Sequence, residues 1–428
     1  MDDVRKWTFY MIVLVAGFAT GIGTIGLFPQ MWLKYGITGL AFHVVFLAIF
    51  TILAISETEA VMKSRQYFVD LYRKILGKPG MIMTIFALGV IFLSYYTANV
   101  GLSILSPFVG AGALGRLISK IVVMGVILAV ISRAKEKAFL LMAFGSLFLI
   151  VLVPLFAVLS VTNPPKDAVY VSIAKNMLLN VPPITPDLIR AAAERAVYGV
   201  GLGFGFYLML GSFLNERLNP RIIIGTGVMV QLILGLLSTV AIAYMITPLD
   251  PGTFLSYANG GEEQAIELME RLPEILEDYN LLLYPLALGL FMAGMTSILP
   301  TAEVDLQILQ SILRTSRSKA SLYLTGIVLL FGIIDSSPTI ADMMLKAVTT
   351  AIFVTAIFEL YPIINGRVQK PNSLQLIVAT VSAVIFAVGF LVQAKYDLKL
   401  GGAYHGSLIL ALILVGIGIL GEFLTPME

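Results

Sequence analysis

Cysteine is absent from the 428 residues. That excludes disulfides, thiolate metal sites and iron–sulfur clusters. Histidine is nearly absent, with only His43 and His405, so neither haem nor a histidine-rich catalytic metal site is expected. Charge is scarce: 13% of residues are charged and the net charge is +2, against ~25% charged in a typical soluble domain. No basic face is available for nucleic acid. Hydrophobic residues make up 58% of the chain, and its mean hydropathy is +0.93. These values exclude an ordinary soluble domain and a disordered chain. A polytopic membrane protein remains, with the lipid bilayer as its main partner.

A helix crossing a bilayer needs ~20 mostly apolar residues. Segments 7–33, 35–56, 79–115, 138–165, 196–215, 222–249, 279–302, 371–394 and 400–421 contain no Asp, Glu, Lys or Arg and are long enough. The shorter runs 121–132, 320–334 and 347–358 become spans once flanking residues are added. Twelve helices follow, and the alternation of a β-barrel is missing, so the fold class is all-α. The first apolar stretch is too long for a signal peptide and lacks a small-residue cleavage site, so it reads as a retained helix. Lys and Arg gather in the segments that are cytoplasmic if the N-terminus is inside, among them Arg5, Lys6, Lys63, Arg65, Arg73, Arg133, Arg217, Arg221, Arg314 and Arg317. This bias predicts both termini inside. Two long outer loops result, 162–190 with five prolines and 250–280 with the acidic stretch GEEQAIELMERLPEILEDY. The acidic stretch reads either as a solvated loop helix or as a lid over a pathway.

Glycine placement is the informative feature. Helix 1 carries Gly17, Gly21, Gly23 and Gly26 before Pro29, and helix 6 carries Gly199, Gly201, Gly203 and Gly205 in YGVGLGFG. Each glycine costs ~1 kcal/mol against alanine inside a helix, and this density exceeds what a packing groove needs. Both helices are therefore expected to unwind midway. Irregular backbone survives in a membrane only where it is buried in protein or lines a cavity. Breaks five helices apart point to an inverted-repeat transporter. The half-helix N-termini then suit a carboxylate, and freed carbonyls suit a small cation. Gly21-Ile22-Gly23-Thr24-Ile25-Gly26 fits the GxGxxG spacing, but without a preceding strand it carries no dinucleotide reading.

At these residues the chain resembles the neurotransmitter:sodium symporter family, whose fold is the LeuT fold. GIGTIGLFP is similar to the family's GLGNxxRFP, and GLGFG in helix 6 to its SLGFG. The Tyr95–Tyr96 pair of helix 3 and Ala293-Gly294-Met295-Thr296-Ser297 of helix 8 resemble the paired tyrosines and AGLTS. The resemblance runs through helices 1 to 10. It implies an importer that couples an amino acid to one or two sodium ions by alternating access; the missing cysteine, short loops and compact termini suggest a prokaryotic plasma-membrane protein, monomer or dimer. It also implies a five-plus-five inverted repeat: 1–161 holds helices 1–5, 162–190 is an outer loop, 191–366 holds helices 6–10 with lid loop 250–280, and 367–428 holds helices 11 and 12.

Carried over residue by residue, the second sodium site falls on Gly17, Thr20, Ala293, Thr296 and Ser297. The alternative for the two hydroxyls is bonding back to their own helix. The first sodium site falls on Ala19, Thr24, Gly199 and Gln231, where the family has Asn for Thr24, Thr for Gly199 and Asn for Gln231. Gly235 stands where relatives carry the acid or serine linked to chloride. The substrate pocket falls on Ala19, Gly21, Ile22, Gly23, Phe92, Tyr96, Tyr198, Gly199, Gly201, Phe204, Ser297 and Thr301, with Asn99 an added polar candidate. Tyr198 is the aromatic lid. The family's outer gate arginine is Leu27 here and its acidic partner falls near Met344, with Asp342 two residues away, so that gate is expected to close by packing. Glu59 and Glu359 match carboxylates that brace the unwound segments, with Glu57 competing for the first role. Glu303 and Asp305 either face an inward water pathway, with Glu303 able to carry a proton, or are interfacial groups near Arg314 and Arg317. Two other readings stay open: a carrier of the same fold driven by protons or exchange, and a substrate sensor that does not transport. No nucleophile–base pair or metal cluster stands in a suitable context, so an enzyme is not expected.

Overall fold

Long apolar runs in a chain this poor in charge satisfy their backbone groups within helices. The computed structural model describes all residues except 1, 22, 78–79, 111, 134, 163–170, 250, 261–263, 265–267, 269–279, 335–336, 366–369 and 425–428. Among the described residues there is no strand, and nine helical stretches are long and apolar enough to cross a membrane. The protein is a multi-pass membrane protein. Among the described residues twelve spans can be traced: one of the nine stretches holds parts of two spans, and the broken span 6 and the short span 9 add two more. Span 1 comprises Asp2–Ala19, a π-helical turn Gly23–Leu27 and the start of Phe28–Ser64. Span 2 is the rest of that helix. Span 6 is split into Pro186–Val200 and Phe206–Phe213. The unbroken spans are 3 (Gly80–Val109), 4 (Ala113–Ile131), 5 (Lys135–Thr162), 7 (Pro220–Leu249) and 8 (Asn280–Leu313). Spans 9 to 12 are Arg317–Ile334, Pro338–Glu359, Ser373–Leu400 and Ala403–Leu424. The face on which the chain begins is termed the near face, and the opposite one the far face.

Local chemistry sets the ends of these helices. Thr185 caps the outer half of span 6 by accepting from the Leu188 N–H at 3.2 Å, with Pro186 in the first turn. Asn372 and Gln375 form a reciprocal capping box at the start of span 11. Helix Phe68–Leu76 is strongly amphipathic. It buries Phe68, Leu71, Tyr72 and Ile75 against the bundle, and Arg73 donates to the Ser311 carbonyl at 3.1 Å, tying it to the end of span 8.

Spans 1 and 2 are separated by a kink at Gly36, where φ is +53° and ψ −149°. The Asn180 carbonyl fills the space beside it and accepts the Ile37 N–H at 2.8 Å. Through this contact helix Val171–Leu179 is docked on the far face, and Trp32 donates to the Leu178 carbonyl at 3.2 Å. The first part of loop 250–280 is helix Pro251–Asn259, which buries Phe254 and Tyr257. Most of the acidic stretch that follows lies outside the described residues. Gly36→Ala would set a Cβ 2.0 Å from the Asn180 oxygen. It should destabilise the protein by about 2–6 kcal/mol through backbone strain plus overlap. A melting temperature in detergent equal to that of wild type would show that the kink is not constrained.

Candidate functional site

The break in span 6 is a run of three left-handed glycines: Gly201, Gly203 and Gly205 have φ of +89°, +87° and +73°. A side chain at any of these three positions would strain that path. Their amides have lost helical partners, and one carboxylate takes up two of them. Glu359, at the end of span 10, accepts from Gly203 N at 2.7 Å and from Gly205 N. Tyr207 donates to the Val200 carbonyl at 2.6 Å, satisfying an oxygen on the other side of the break. Glu57 of span 2 is fully buried beside this group, close enough to feel the charge of Glu359, and neither of its oxygens has a hydrogen-bond partner. Glu59 does not brace the breaks. It faces the near side, accepting from Arg221 at 3.0 Å and Gln375 at 3.3 Å, with Lys63 at 3.9 Å. The helical register explains this correction: two residues along a helix turn a side chain to a different face, and that face of Glu59 meets cations.

The break in span 1 follows Ala19. The Thr24 hydroxyl donates to the Ala19 carbonyl at 3.0 Å, and Gln231 of span 7 donates its amide to the Thr24 oxygen at 3.0 Å. Gln231 Oε1 is buried without a partner. Gly199 lies beside the Gln231 side chain, since a Cβ there would be 3.3 Å from Nε2. The four residues expected at the first ion site thus converge. At the second, Thr296 donates to the Ala293 carbonyl at 3.0 Å. Ser297 reaches both Ala293 O at 3.4 Å and, across the helix interface, Phe18 O at 3.3 Å. Both hydroxyls therefore bond within their own helix, and Ser297 also bridges to span 1. Gly17 packs directly on the Ser146 hydroxyl of span 5. Sequence reasoning missed Ser146, because a serine within an apolar run carries no signal of what it faces.

Between the two breaks lies a cavity of about 210 Å³. Ala19, Gly21, Gly23, Phe92, Tyr96, Tyr198, Gly199, Gly201, Phe204, Ser297 and Thr301 all line it. Ile22 lies outside the described residues. The Gly21 position permits close approach, since a Cβ there would be 2.6 Å from Ser297 Oγ. Phe92 stacks on Tyr96 with ring centroids 4.4 Å apart and contacts Phe204 at 4.8 Å. From this chamber the lining continues along span 3 through Asn99, Ser103 and Ser106 and along span 8 through Leu290 and Leu283. The cavity therefore runs from the breaks toward the far face. Tyr198 donates to Thr349 of span 10 at 3.1 Å, with the Arg195 guanidinium 5.4 Å from its ring. Arg195 lines the cavity and pairs with Glu194.

A search of solved structures finds a similar fold in another protein. The crystal structure of MhsT in complex with L-phenylalanine superposes with a TM-score of 0.66 over 89% of this chain and 98% of that one, at 19% identity. The chain has the LeuT fold. No protein-family profile and no curated protein matches the sequence.

Within this fold the outer rim departs from the paired gate that the resemblance implies. A polar relay stands on the far face, outside the cavity lining. Tyr35 donates to Asp187, and Arg190 binds Asp187 at 3.0 Å, Glu194 at 2.8 Å and Gln393 at 2.9 Å. Gln393 donates to Asp397 at 3.1 Å, and Thr350 donates to its other oxygen at 2.7 Å. The relay joins spans 6, 11 and 10, and no contiguous motif could have announced it. Loop helix Pro251–Asn259 adds a contact from above: Tyr257 donates to the Gly26 carbonyl, and Gln30 donates to Tyr257 O at 2.8 Å. Glu303 sits in a two-point ion pair with Arg317 at 2.8 and 2.5 Å, so it is not a free carboxylate.

Glu359→Gln should leave one of the two glycine amides facing an amide group in place of an acceptor. An unmet buried donor costs about 1–3 kcal/mol. The expected outcome is a lower melting temperature in detergent, and an unchanged one would show that the break is held by packing alone.

Proposed function

We propose that the protein is a secondary active transporter that imports an amino acid, or a related small zwitterion, by alternating access coupled to sodium. The observation that carries this reading is the cavity at the meeting of two mid-membrane helix breaks. Freed amides near Gly21 and Gly23 and the Tyr96 hydroxyl would receive a substrate carboxylate. Phe92, Phe204 and Tyr198 would enclose an apolar side chain. The bound L-phenylalanine of MhsT supports an apolar amino acid of similar size as the first candidate. We further assign the far face to the outside, both termini to the cytoplasm of a prokaryotic cell and the two inverted halves to spans 1–5 and 6–10, with loop 250–280 as the lid.

The residues fit sodium as coupling ion. The carbonyls of Gly17, Thr20 and Ala293 and the hydroxyls of Thr296 and Ser297 are uncharged oxygens. Ser297 already spans the interval between spans 1 and 8 with a single hydrogen bond. Such a donor set suits a hard monovalent cation that must later leave. When bound, sodium links spans 1 and 8 more firmly than that one hydrogen bond does. The buried, unpartnered Gln231 Oε1 beside Thr24 supports a second ion at Ala19, Thr24, Gly199 and Gln231. Glu303 and Glu59 are both held in ion pairs, which weighs against either as the carrier of a driving proton.

The test is uptake of labelled amino acids into proteoliposomes with an inward sodium gradient or with choline. Wild type should accumulate substrate only with sodium. Thr296→Ala with Ser297→Ala should cut uptake at least tenfold, with the melting temperature checked for folding. Uptake indifferent to sodium would reject this coupling. Substrate binding without flux would favour the sensor reading. A second measurement addresses the lid: Tyr198→Phe should speed substrate dissociation about fivefold, the loss of one hydrogen bond of ~1 kcal/mol. An unaltered off-rate would remove Tyr198–Thr349 from the gate.

A further inference from the structure

One acidic side chain in the membrane interior has no role in the site described above. Asp305 is 1% exposed, and neither carboxyl oxygen has a hydrogen-bond partner. It follows Thr301 by four residues on the same face of span 8, one turn from the cavity toward the near face. Its carboxyl lies on the bare backbone of Gly89 in span 3, where a Cβ would come within 2.4 Å of Oδ1. Gly89 precedes Phe92 of the cavity wall by one turn. Just beside it, Gly205 of the span 6 break packs against Val304 and Ile85. Asp305 is therefore built into the plug that closes the cavity toward the near face.

The titratable groups on the elements around this plug are committed elsewhere. On span 8 itself, Glu303 pairs with Arg317 at the start of span 9. Lys120 of span 4 donates to Ser94 at 3.0 Å. Tyr207 of span 6 donates to Val200 O, and Tyr72 of helix Phe68–Leu76 donates to Phe358 O. Arg73 and Asp70 of that helix both engage Ser311. Tyr95 and Tyr96 lie above Phe92 on span 3, and Lys6 of span 1 lies over Tyr10. Glu359 and Lys137 stand at the ends of spans 10 and 5, and none of these groups hydrogen-bonds to Asp305. A carboxylate ion sealed in such a place has neither counter-charge nor donor, which is strongly unfavourable. The neutral acid is the form that the closed plug can hold.

We propose that Asp305 is a protonation site that makes closure of the near-face path depend on internal pH. The inference rests on the transporter reading for its direction, since the near face is then cytoplasmic. When the path opens, water reaches Asp305 and the carboxyl gives its proton to that water. To close again, the carboxylate must take a proton back from the cytoplasm. Above the ordinary aspartate range of ~3.9, closing binds one proton. The closed-to-open ratio should then fall about tenfold for each unit rise in internal pH, by linkage.

The chain has no cysteine, so one introduced thiol reports alone. Ile85→Cys places it at a fully buried position in the plug. Its labelling by a membrane-impermeant maleimide, enclosed in proteoliposomes at a series of internal pH values, should be compared with the same thiol in an Asp305→Asn background. Asparagine mimics the neutral acid, so the plug should stay folded and lose its pH response. The labelling ratio of aspartate to asparagine should climb with internal pH, approaching tenfold per unit. A flat ratio overturns the proposal. Infrared difference spectra of the two proteins at neutral pH give a second reading. A neutral-carboxyl band should be present with Asp305 and missing with asparagine, and its absence also overturns the proposal. Neither measurement needs substrate, so failure of the transport assay leaves both results decisive for Asp305.

Discussion

The paired hydrogen bonds from Gly203 and Gly205 to the Glu359 carboxylate are the constraint on which the rest of the structure depends. A broken helix in a low-dielectric interior leaves backbone donors with nothing to bind, and each unmet group is costly. One carboxylate at the end of span 10 meets two of them, and Tyr207 meets a freed carbonyl on the other side. With the break stabilised, both halves of span 6 can end at mid-membrane. Three left-handed glycines then let Phe18, Ile352 and Val304 pack where side chains would otherwise stand. The cavity is the consequence: two helices stop short, and the space they leave is lined by their own backbone.

The closure of that cavity differs at its two ends. Toward the near face Asp305 is enclosed against Gly89, next to Gly205, Val304 and Ile85. Toward the far face the lining is open along Asn99, Ser103 and Ser106, and polar groups act around the rim. The Arg190 relay is a chain of bonds from Tyr35 to Thr350 on that face. Leu27 and Met344 are compatible with this, because an unmatched charge at either place would be left without a partner. Tyr198 ties span 6 to span 10 through Thr349. Helix Pro251–Asn259 holds the outer end of span 1 through Tyr257 and Gln30, which links the loop above the cavity to the break below it.

The helical fold class, the number of spans and the two breaks were legible in the residues, because the signals are local. Apolar runs of membrane length specify spans, and clustered glycines at 17–26 and 199–205 specify where a helix is too costly to continue. The residues of the cavity wall were legible only through the family resemblance, which carried them over position by position onto the segments beside the breaks and onto spans 3 and 8. Partners were not legible. Glu57 and Glu59 sit two residues apart with the same side chain, and only packing decides that one is buried beside Glu359 while the other meets Arg221 and Gln375. Glu303 and Asp305 show the same division, one ion-paired with Arg317 and the other enclosed against Gly89. Arg190 gathers Asp187, Glu194 and Gln393, the last of these far along the chain. Hydropathy and glycine act along the backbone within a few residues, so the sequence by itself determined the spans and their breaks. The energy of a buried charge depends on which group stands within a few ångströms of it, so the tertiary structure alone decided which carboxylates are braces, which are ion-paired and which are left uncompensated.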